Sequence, residues 1–419
     1  MNRPRVVILG GGFGGLNAAK ALKNANIDII LVDKTNHHLF QPLLYQVATA
    51  ALSPGDIARP IRSILKEQKN TQVILDEVTA IDKEAQKVIL KNEGNLSFDY
   101  LIIAIGARHS YFGHDEWEDN APGLKTISDA LKIREKVLLS FEKAEITESE
   151  KEREKYLTFV IIGGGPTGVE MAGAVAEIAR KTMTKDFRNI DPSQAKIILI
   201  EGAPRLLSAY PEDLTEYTKK SLEKMGVKVM VSTRVTDIGP DVVNIDSEII
   251  KTTNIIWAAG NKASPVLSSL GSEQDRVGRV MVGADLTIPN FSNIFVIGDA
   301  ANVIGNDNHP LPGLAPVAMQ EGKYVAKIIS LNIAKNMREP FEYFDKGTMA
   351  TIGKARAVAQ IGKLKFKGFI AWLLWIFIHI MLLIGFRNKI IVMMEWLWFY
   401  ISNQRPARLI VHNDKKDIN

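Results

Sequence analysis

"RVVILGGGFGGLNAAKALKNANIDIILVDK", residues 5 to 34, decides the fold. Its apolar runs VVIL and IILV are continuous rather than alternating, as in parallel strands buried on both faces, and LNAAKAL between them has helical spacing. The segment reads strand, glycine turn, helix, strand: one βαβ unit. Gly10, Gly12 and Gly15 fall in the spacing GxGxxG. The first permits a tight turn, the second lets backbone approach a pyrophosphate, and the third lets the helix lie close on the strand. The helix N-terminus then faces the phosphate charge. Asp33 ends the next strand, 21 residues after Gly12, where a carboxylate accepts hydrogen bonds from a ribose. The ordered set points to a bound dinucleotide.

The pattern returns at "YLTFVIIGGGPTGVEMAGAVAEIARK", from residue 156, followed by "AKIILIEG". The second fingerprint is Gly163, Gly165 and Gly168, with Glu201 closing the next strand. Glu201 lies 36 residues after Gly165, 15 more than in the first unit, and the polar segment 182–195 takes up the difference. A ribose-facing acid repels a 2′-phosphate, which favours NADH over NADPH, although Arg205 nearby softens the preference. Two sites on one chain imply a mobile nicotinamide and a fixed flavin. Hydride transfer between them needs the two rings in contact, hence two domains facing one another.

Composition narrows the chemistry. The 419 residues suffice for two or three domains. The net charge of +5 is spread along the chain, so no nucleic-acid footprint is expected. There is no cysteine, which removes disulfides, thiolate nucleophiles and iron–sulfur ligation. The seven histidines form no HxxxH or HExxH pair, so no protein-bound metal is expected. "MNRPRVVILGGG" enters a strand at once, without the apolar core of a cleavable leader, and the body is expected in the cytoplasm.

Several residues carry open readings. Glu170, in PTGVE, suits the positive end of its helix, or it positions a nicotinamide or relays a proton. His37 and His38 lie in a long segment (35–56) read as a loop along the cofactor. Asp299, in VIGDAA, accepts a ribityl hydroxyl, caps the next turn, or does both. The charged segment 142–155 reads as a solvated connector that marks a boundary. The domains expected are 1–118, a first flavin-binding part; 119–265, nicotinamide-binding; 266–344, a second flavin-binding part; and 345–419, a C-terminal region.

That last region holds "GFIAWLLWIFIHIMLLIGF", residues 368 to 386. Nineteen helical residues reach about 28 Å, just short of the roughly 30 Å hydrocarbon core, so a span is allowed. Lys363, Lys365 and Lys367 before it and Arg387 and Lys389 after it pull both ends to one side. A two-helix hairpin embedded in one leaflet is therefore favoured over a transmembrane span, although the stretch lacks the polar face of an in-plane helix. A buried dimer-forming helix is a third reading.

The double fingerprint, AIGA (104–107), WAAG (257–260), GDAA (298–301) and LPGLAPVAMQEGKYVA (311–326) resemble the two-dinucleotide flavoproteins. FRNK and the aromatic-rich tail narrow the resemblance to type II NADH:quinone oxidoreductases over essentially the whole chain. The lack of cysteine fits, because the disulfide, peroxide and sulfide enzymes of this fold use redox cysteines. The resemblance implies an α/β protein with two Rossmann-like domains, for FAD and NADH, plus a membrane-anchoring helical region. It implies hydride transfer from NADH to non-covalent FAD, then two-electron reduction of a membrane quinone without proton pumping. FAD would be held by Gly10, Gly11, Gly12, Phe13, Gly14 and Gly15, by Asp33, Lys34 and His38, by backbone near Val78, by Asp299, and by the turn at Ala315 and Pro316. Gly163, Gly165, Gly168 and Glu201 would hold NADH, and Glu170 matches the proposed catalytic carboxylate. In the quinone signature AQxAxQxG the second Gln is kept as Gln320, but Pro316 replaces the first and offers neither amide nor N–H. The resemblance further implies a homodimer and a seat on the cytoplasmic face of the bilayer. The rivals are a soluble NAD(P)H-dependent ferredoxin or rubredoxin reductase and a flavoprotein redox sensor.

Overall fold

The computed structural model describes residues 3–246 and 248–410. In chain order, the strands that position the sites are β1 (Arg5–Leu9), β2 (Asp28–Asp33), β3 (Thr71–Leu75), β4 (Tyr100–Ile103), β5 (Thr158–Ile162), β6 (Lys196–Ile200), β7 (Val227–Met230), β8 (Asn254–Trp257), β9 (Ile294–Val296), β10 (Thr348–Gly353), β11 (Arg356–Ile361) and β12 (Leu364–Gly368). The helices are α1 (Phe13–Ala21), α2 (Leu44–Ala48), α3 (Ile127–Ile146), α4 (Pro166–Glu177), α5 (Ala315–Ser330), α6 (Phe369–Leu382) and α7 (Phe386–Ser402).

The chain forms two compact units. The first holds residues up to Leu39, Ala58–Arg108 and Asn261–Lys346. Its parallel sheet runs β9-β4-β1-β2-β3, so the β1 end, where the first glycine turn begins, lies in the middle. Val6, Val7, Ile8 and Leu9 have no exposed surface, which is why the strand shows no alternation. Helix α5 lies close on α1, because a Cβ at Gly322 would stand 2.4 Å from the Gly14 carbonyl.

The second unit holds Phe40–Ile57, His109–Gly260 and the chain from Gly347 on. Its parallel sheet, β7-β6-β5-β8, is packed with Val160, Ile162, Ile198, Ile200, Ile255 and Trp257. The antiparallel sheet β10-β11-β12 abuts α4, where Gly173 permits the contact: a Cβ there would lie 1.8 Å from the Ile352 carbonyl.

Three expectations change. Segment 40–57 belongs with the second unit rather than with 1–118, because α2, buried throughout, packs against α3 and α4; the segment is structured, not a loop. Segment 142–155 lies inside the second unit as the end of α3 and a short helix, Glu150–Tyr156, so its charge marks a solvated surface and not a boundary. The long apolar stretch is also broken: α6 has 14 residues, about 21 Å. Leu383 turns extended, Gly385 takes φ 96°, and α7 begins at Phe386. Among the described residues no helix is long and apolar enough to cross a membrane.

The missing polar face of this stretch is also explained. Ala371, Trp375 and His379, spaced by four, are buried, and α6 packs on β11 through Ala371, Ala357 and Ala359. The opposite side exposes Phe369, Ile370, Leu373, Phe377 and Met381, and α7 exposes Met393, Met394, Leu397, Trp398 and Ile401. One face of α6 is covered by protein, and the other is apolar and open.

Candidate active site

The two fingerprints build the same cradle. Gly10 and Gly163 take φ 97° and 112°, which only glycine adopts without strain. A Cβ at Gly15 would stand 1.9 Å from the Gly10 carbonyl, and one at Gly168 would stand 1.8 Å from the Gly163 carbonyl. By contrast, a Cβ at Gly12 or Gly165 would meet nothing within 4 Å. The first and third glycines are thus required by the fold, and the second faces open space at the helix N-terminus, where a pyrophosphate fits.

The acids follow the same plan. Asp33 Oδ2 accepts the Gly11 N–H at 2.6 Å, and its Oδ1 accepts the Thr35 N–H at 2.6 Å. Glu201 Oε2 accepts the Gly164 N–H at 2.5 Å, and its Oε1 accepts the Ala203 N–H at 2.6 Å. Each carboxylate ties the glycine turn to the loop after the next strand, which fixes it beside the cradle.

In the first unit His38 is 2% exposed. Its Nδ1 donates to the Gly11 carbonyl at 2.9 Å, its ring meets Phe13 edge-on at 5.1 Å, and its Nε2 is buried without a partner. Burial holds the imidazole below its ordinary pKa, so the ring is neutral and Nε2 is left as an acceptor. His37, in contrast, bonds Asn36 at 3.1 Å. Lys34 is exposed next to Asp33, and Val78 begins a strand three residues past Leu75, which is paired with Asp33. Asp299 shares a cleft of about 100 Å³ with Gly313, Glu321, Lys262 and Arg279. Glu321 accepts the Gly298 N–H at 2.5 Å, and burial pushes its carboxyl up to about 7. Ala315 and Pro316 open α5, where a missing N–H costs nothing.

Gln320 has a structural tie of its own. Its amide nitrogen donates to the Phe344 carbonyl at 2.9 Å, and its oxygen accepts the Phe344 N–H at 3.0 Å. Each end of the amide holds one backbone partner, so it fastens the 344 segment to α5, and one amide N–H and one oxygen lone pair are left over.

In the second unit, Glu170 stands half-buried on α4, and the Thr351 N–H approaches it at 3.5 Å from β10. Burial pushes its carboxyl up to about 8 against that N–H, leaving it protonated at neutral pH. Glu170 lies near enough to two phenols for its charge to act on them: Tyr45 on α2, and Tyr210, whose hydroxyl bonds Thr348. A neutral carboxyl among phenols can give up and regain a proton. The sequence reading missed Tyr45, Tyr210 and Thr351. The available signal was Tyr45-Gln46, a polar pair inside the apolar run LLYQVA.

Comparison with known proteins places the chain in a class and then in a family. The pyridine nucleotide-disulphide oxidoreductase family matches residues 4–322, so the fold is that of this class, and the NDH2 C-terminal domain matches residues 346–403. The type II NADH:quinone oxidoreductases Ndh and NdhA of Mycobacterium tuberculosis are each 46% identical, over 96% and 97% of this chain and 89% of theirs. The chain belongs to the type II NADH:quinone oxidoreductase family. A solved NDH2 from Plasmodium falciparum in complex with NADH has the same fold, with TM-score 0.89 at 23% identity over 97% of this chain and all of that one.

Proposed function

We propose that the Gly10–Gly15 cradle, with Asp33, Lys34, His38, Val78, Asp299, Ala315 and Pro316, holds a non-covalent FAD, and that Gly163, Gly165, Gly168 and Glu201 hold NADH. The matched cradles on one chain carry this reading. The open spaces at Gly12 and Gly165 and the unpartnered His38 Nε2 fit such ligands. A bound flavin would accept hydride from NADH and pass two electrons to a quinone.

The overall reaction, NADH + H⁺ + quinone to NAD⁺ + quinol, draws one proton from solvent in each turnover. Glu170 is the carboxyl that relays it, since it is protonated at neutral pH and half-buried. Asp33 and Glu201 hold their glycine turns in register, and a ribose hydroxyl adds to carboxylates that are already fixed.

Helices α6 and α7 form a monotopic hairpin seated in the cytoplasmic leaflet. Their exposed apolar faces and the basic residues Lys363, Lys365, Lys367, Arg387 and Lys389 beside them support this seat. A homodimer through the C-terminal region belongs to the same reading and rests on the family resemblance. Purified protein should be yellow, release FAD on denaturation and oxidise NADH only when a quinone is supplied. A colourless, flavin-free preparation would overturn the assignment of the first cradle.

A further inference from the structure

In the first unit the loop 275–279 closes on the side chain of Asp275. Its Oδ1 accepts the Val277 N–H at 3.0 Å and the Arg279 N–H at 2.9 Å, and its Oδ2 accepts from Arg279 Nε at 2.7 Å and from Asn302 Nδ2 at 3.1 Å. Gly278, at φ 82°, makes the turn. The guanidinium is thus fixed through Nε, while its two Nη groups make no hydrogen bond among the described residues. Arg279 directly precedes the short strand Val280–Met281, which runs parallel to Ala301–Asn302 with Val280 opposite Ala301. That register sets Arg279 level with Ala300, one residue from Asp299. Arg279, Asp299 and Lys262 all line the cleft of about 100 Å³. The cleft adjoins the first cradle. A Cβ at Gly14, in the first turn of α1, would stand 3.0 Å from Ile297 Cδ1 and 3.4 Å from the Ala318 carbonyl, and their neighbours Gly298 and Val317 form the cleft wall. A dinucleotide with its diphosphate at Gly12 therefore continues into this cleft.

We propose that Arg279 binds the phosphate of FAD nearer the ribityl chain: its two Nη groups donate to phosphate oxygens while Asp275 holds the guanidinium in place through Nε. The inference rests on the reading of the first cradle as the FAD site. A planar fork braced on one edge still offers two parallel donors, the geometry that phosphate oxygens accept. Asp299 beside it remains an acceptor for hydroxyls, so a donor and an acceptor stand next to one another as phosphate and polyol do along a flavin nucleotide. Lys262 lines the same cleft but is exposed, with no fixed partner among the described residues, and must lose side-chain freedom to reach a ligand. Arg279 has lost that freedom before the ligand arrives.

The test follows FAD leaving the full-length holoenzyme in detergent, read from the rise in flavin fluorescence after dilution. At low salt R279Q should release FAD about tenfold faster than wild type, the effect of losing one charge-assisted contact to an anion. In about 1 M salt, where the Debye length is about 3 Å, the gap should narrow to about threefold. R279K keeps the charge but loses the fork once its ammonium meets Asp275, so its release should fall between the two. Equal release by R279Q and wild type overturns the proposal, and so does a gap that salt leaves unchanged, which would assign the loss to packing. Should R279Q not fold, release from R279K at the wild-type rate overturns it equally. A wild-type protein without flavin overturns the cradle reading and this one together. Retained flavin with indifferent Arg279 variants removes only the role of Arg279.

Discussion

Arg405 Nη2 meets Glu177 Oε2 at 3.3 Å, and both side chains are at least 96% buried, at 3% and 4% exposure. The same guanidinium donates to the Thr49 carbonyl at 2.6 Å, and Glu177 also accepts the Lys354 N–H at 2.7 Å. One buried pair thus fastens the residues after α7 to α4, α2 and the β10–β11 turn. R405A leaves the buried Glu177 with only Lys181, at 3.6 Å, and the Lys354 N–H, so it should cost about 3 kcal/mol. Thermal unfolding of the purified protein checks this, and a Tm within a degree of wild type, about 1 kcal/mol or less, would show that the pair is not what holds the segment.

Alanine at the middle and last glycines of each fingerprint separates ligand binding from folding. G12A adds a methyl group where nothing stands within 4 Å, so the protein should fold but bind flavin weakly. G15A drives a Cβ to 1.9 Å from the Gly10 carbonyl and should fail to yield folded protein. G165A should keep its flavin and raise the KM for NADH by tenfold or more, about 1.4 kcal/mol or more of lost binding. Flavin content, soluble yield and steady-state kinetics measure the three outcomes; a G12A protein that retains full flavin would remove the pyrophosphate from that space.

The Glu170 carboxyl, pushed up to about 8, binds its proton more tightly in the folded chain than in the unfolded one, where a glutamate titrates near about 4.3. Its contribution to stability is complete below the unfolded value and is lost as pH rises toward the folded one. E170Q stays neutral throughout. Its Tm should therefore gain on wild type between about pH 5 and 8, and parallel Tm curves across that window would contradict the raised proton affinity.

The proposed membrane seat of the exposed apolar face should be tested by polar substitution, not by truncation before Gly368, because Trp375 and His379 are part of the protein's packing. Trp375 stacks on His379 with ring centres 4.2 Å apart, and His379, pushed down to about 4 by burial, meets Phe40 edge-on at 6.1 Å. Serine at Leu373, Phe377, Met393 and Leu397 leaves those contacts untouched. Sedimentation with vesicles should fall to background while NADH-to-dye activity persists; unchanged sedimentation would assign membrane attachment elsewhere.

Both cradles were legible because their determinants are local: four or five residues fix the turn, and the acid lies one strand away. The partners of Gln46, Glu177 and Gln320 were not legible. Gln46 meets a residue 350 positions on, and Arg405 reaches back 228 to Glu177. Local pattern holds no trace of such pairs. The protein-facing side of α6 was hidden for a different reason. Its spacing by four is present at Ala371, Trp375 and His379, but with apolar residues on every side only the histidine breaks the uniformity.

The near identity of the two cradles bears on inhibition. A compound that mimics adenosine diphosphate would meet the same turn, the same helix end and a carboxylate fastened in the same way at both. With FAD in the first cradle and NADH in the second, as proposed, such a compound would compete with both. Selectivity must come from what differs: the longer side chain of Glu201 against Asp33, and the neutral imidazole of His38, which stands beside the first cradle.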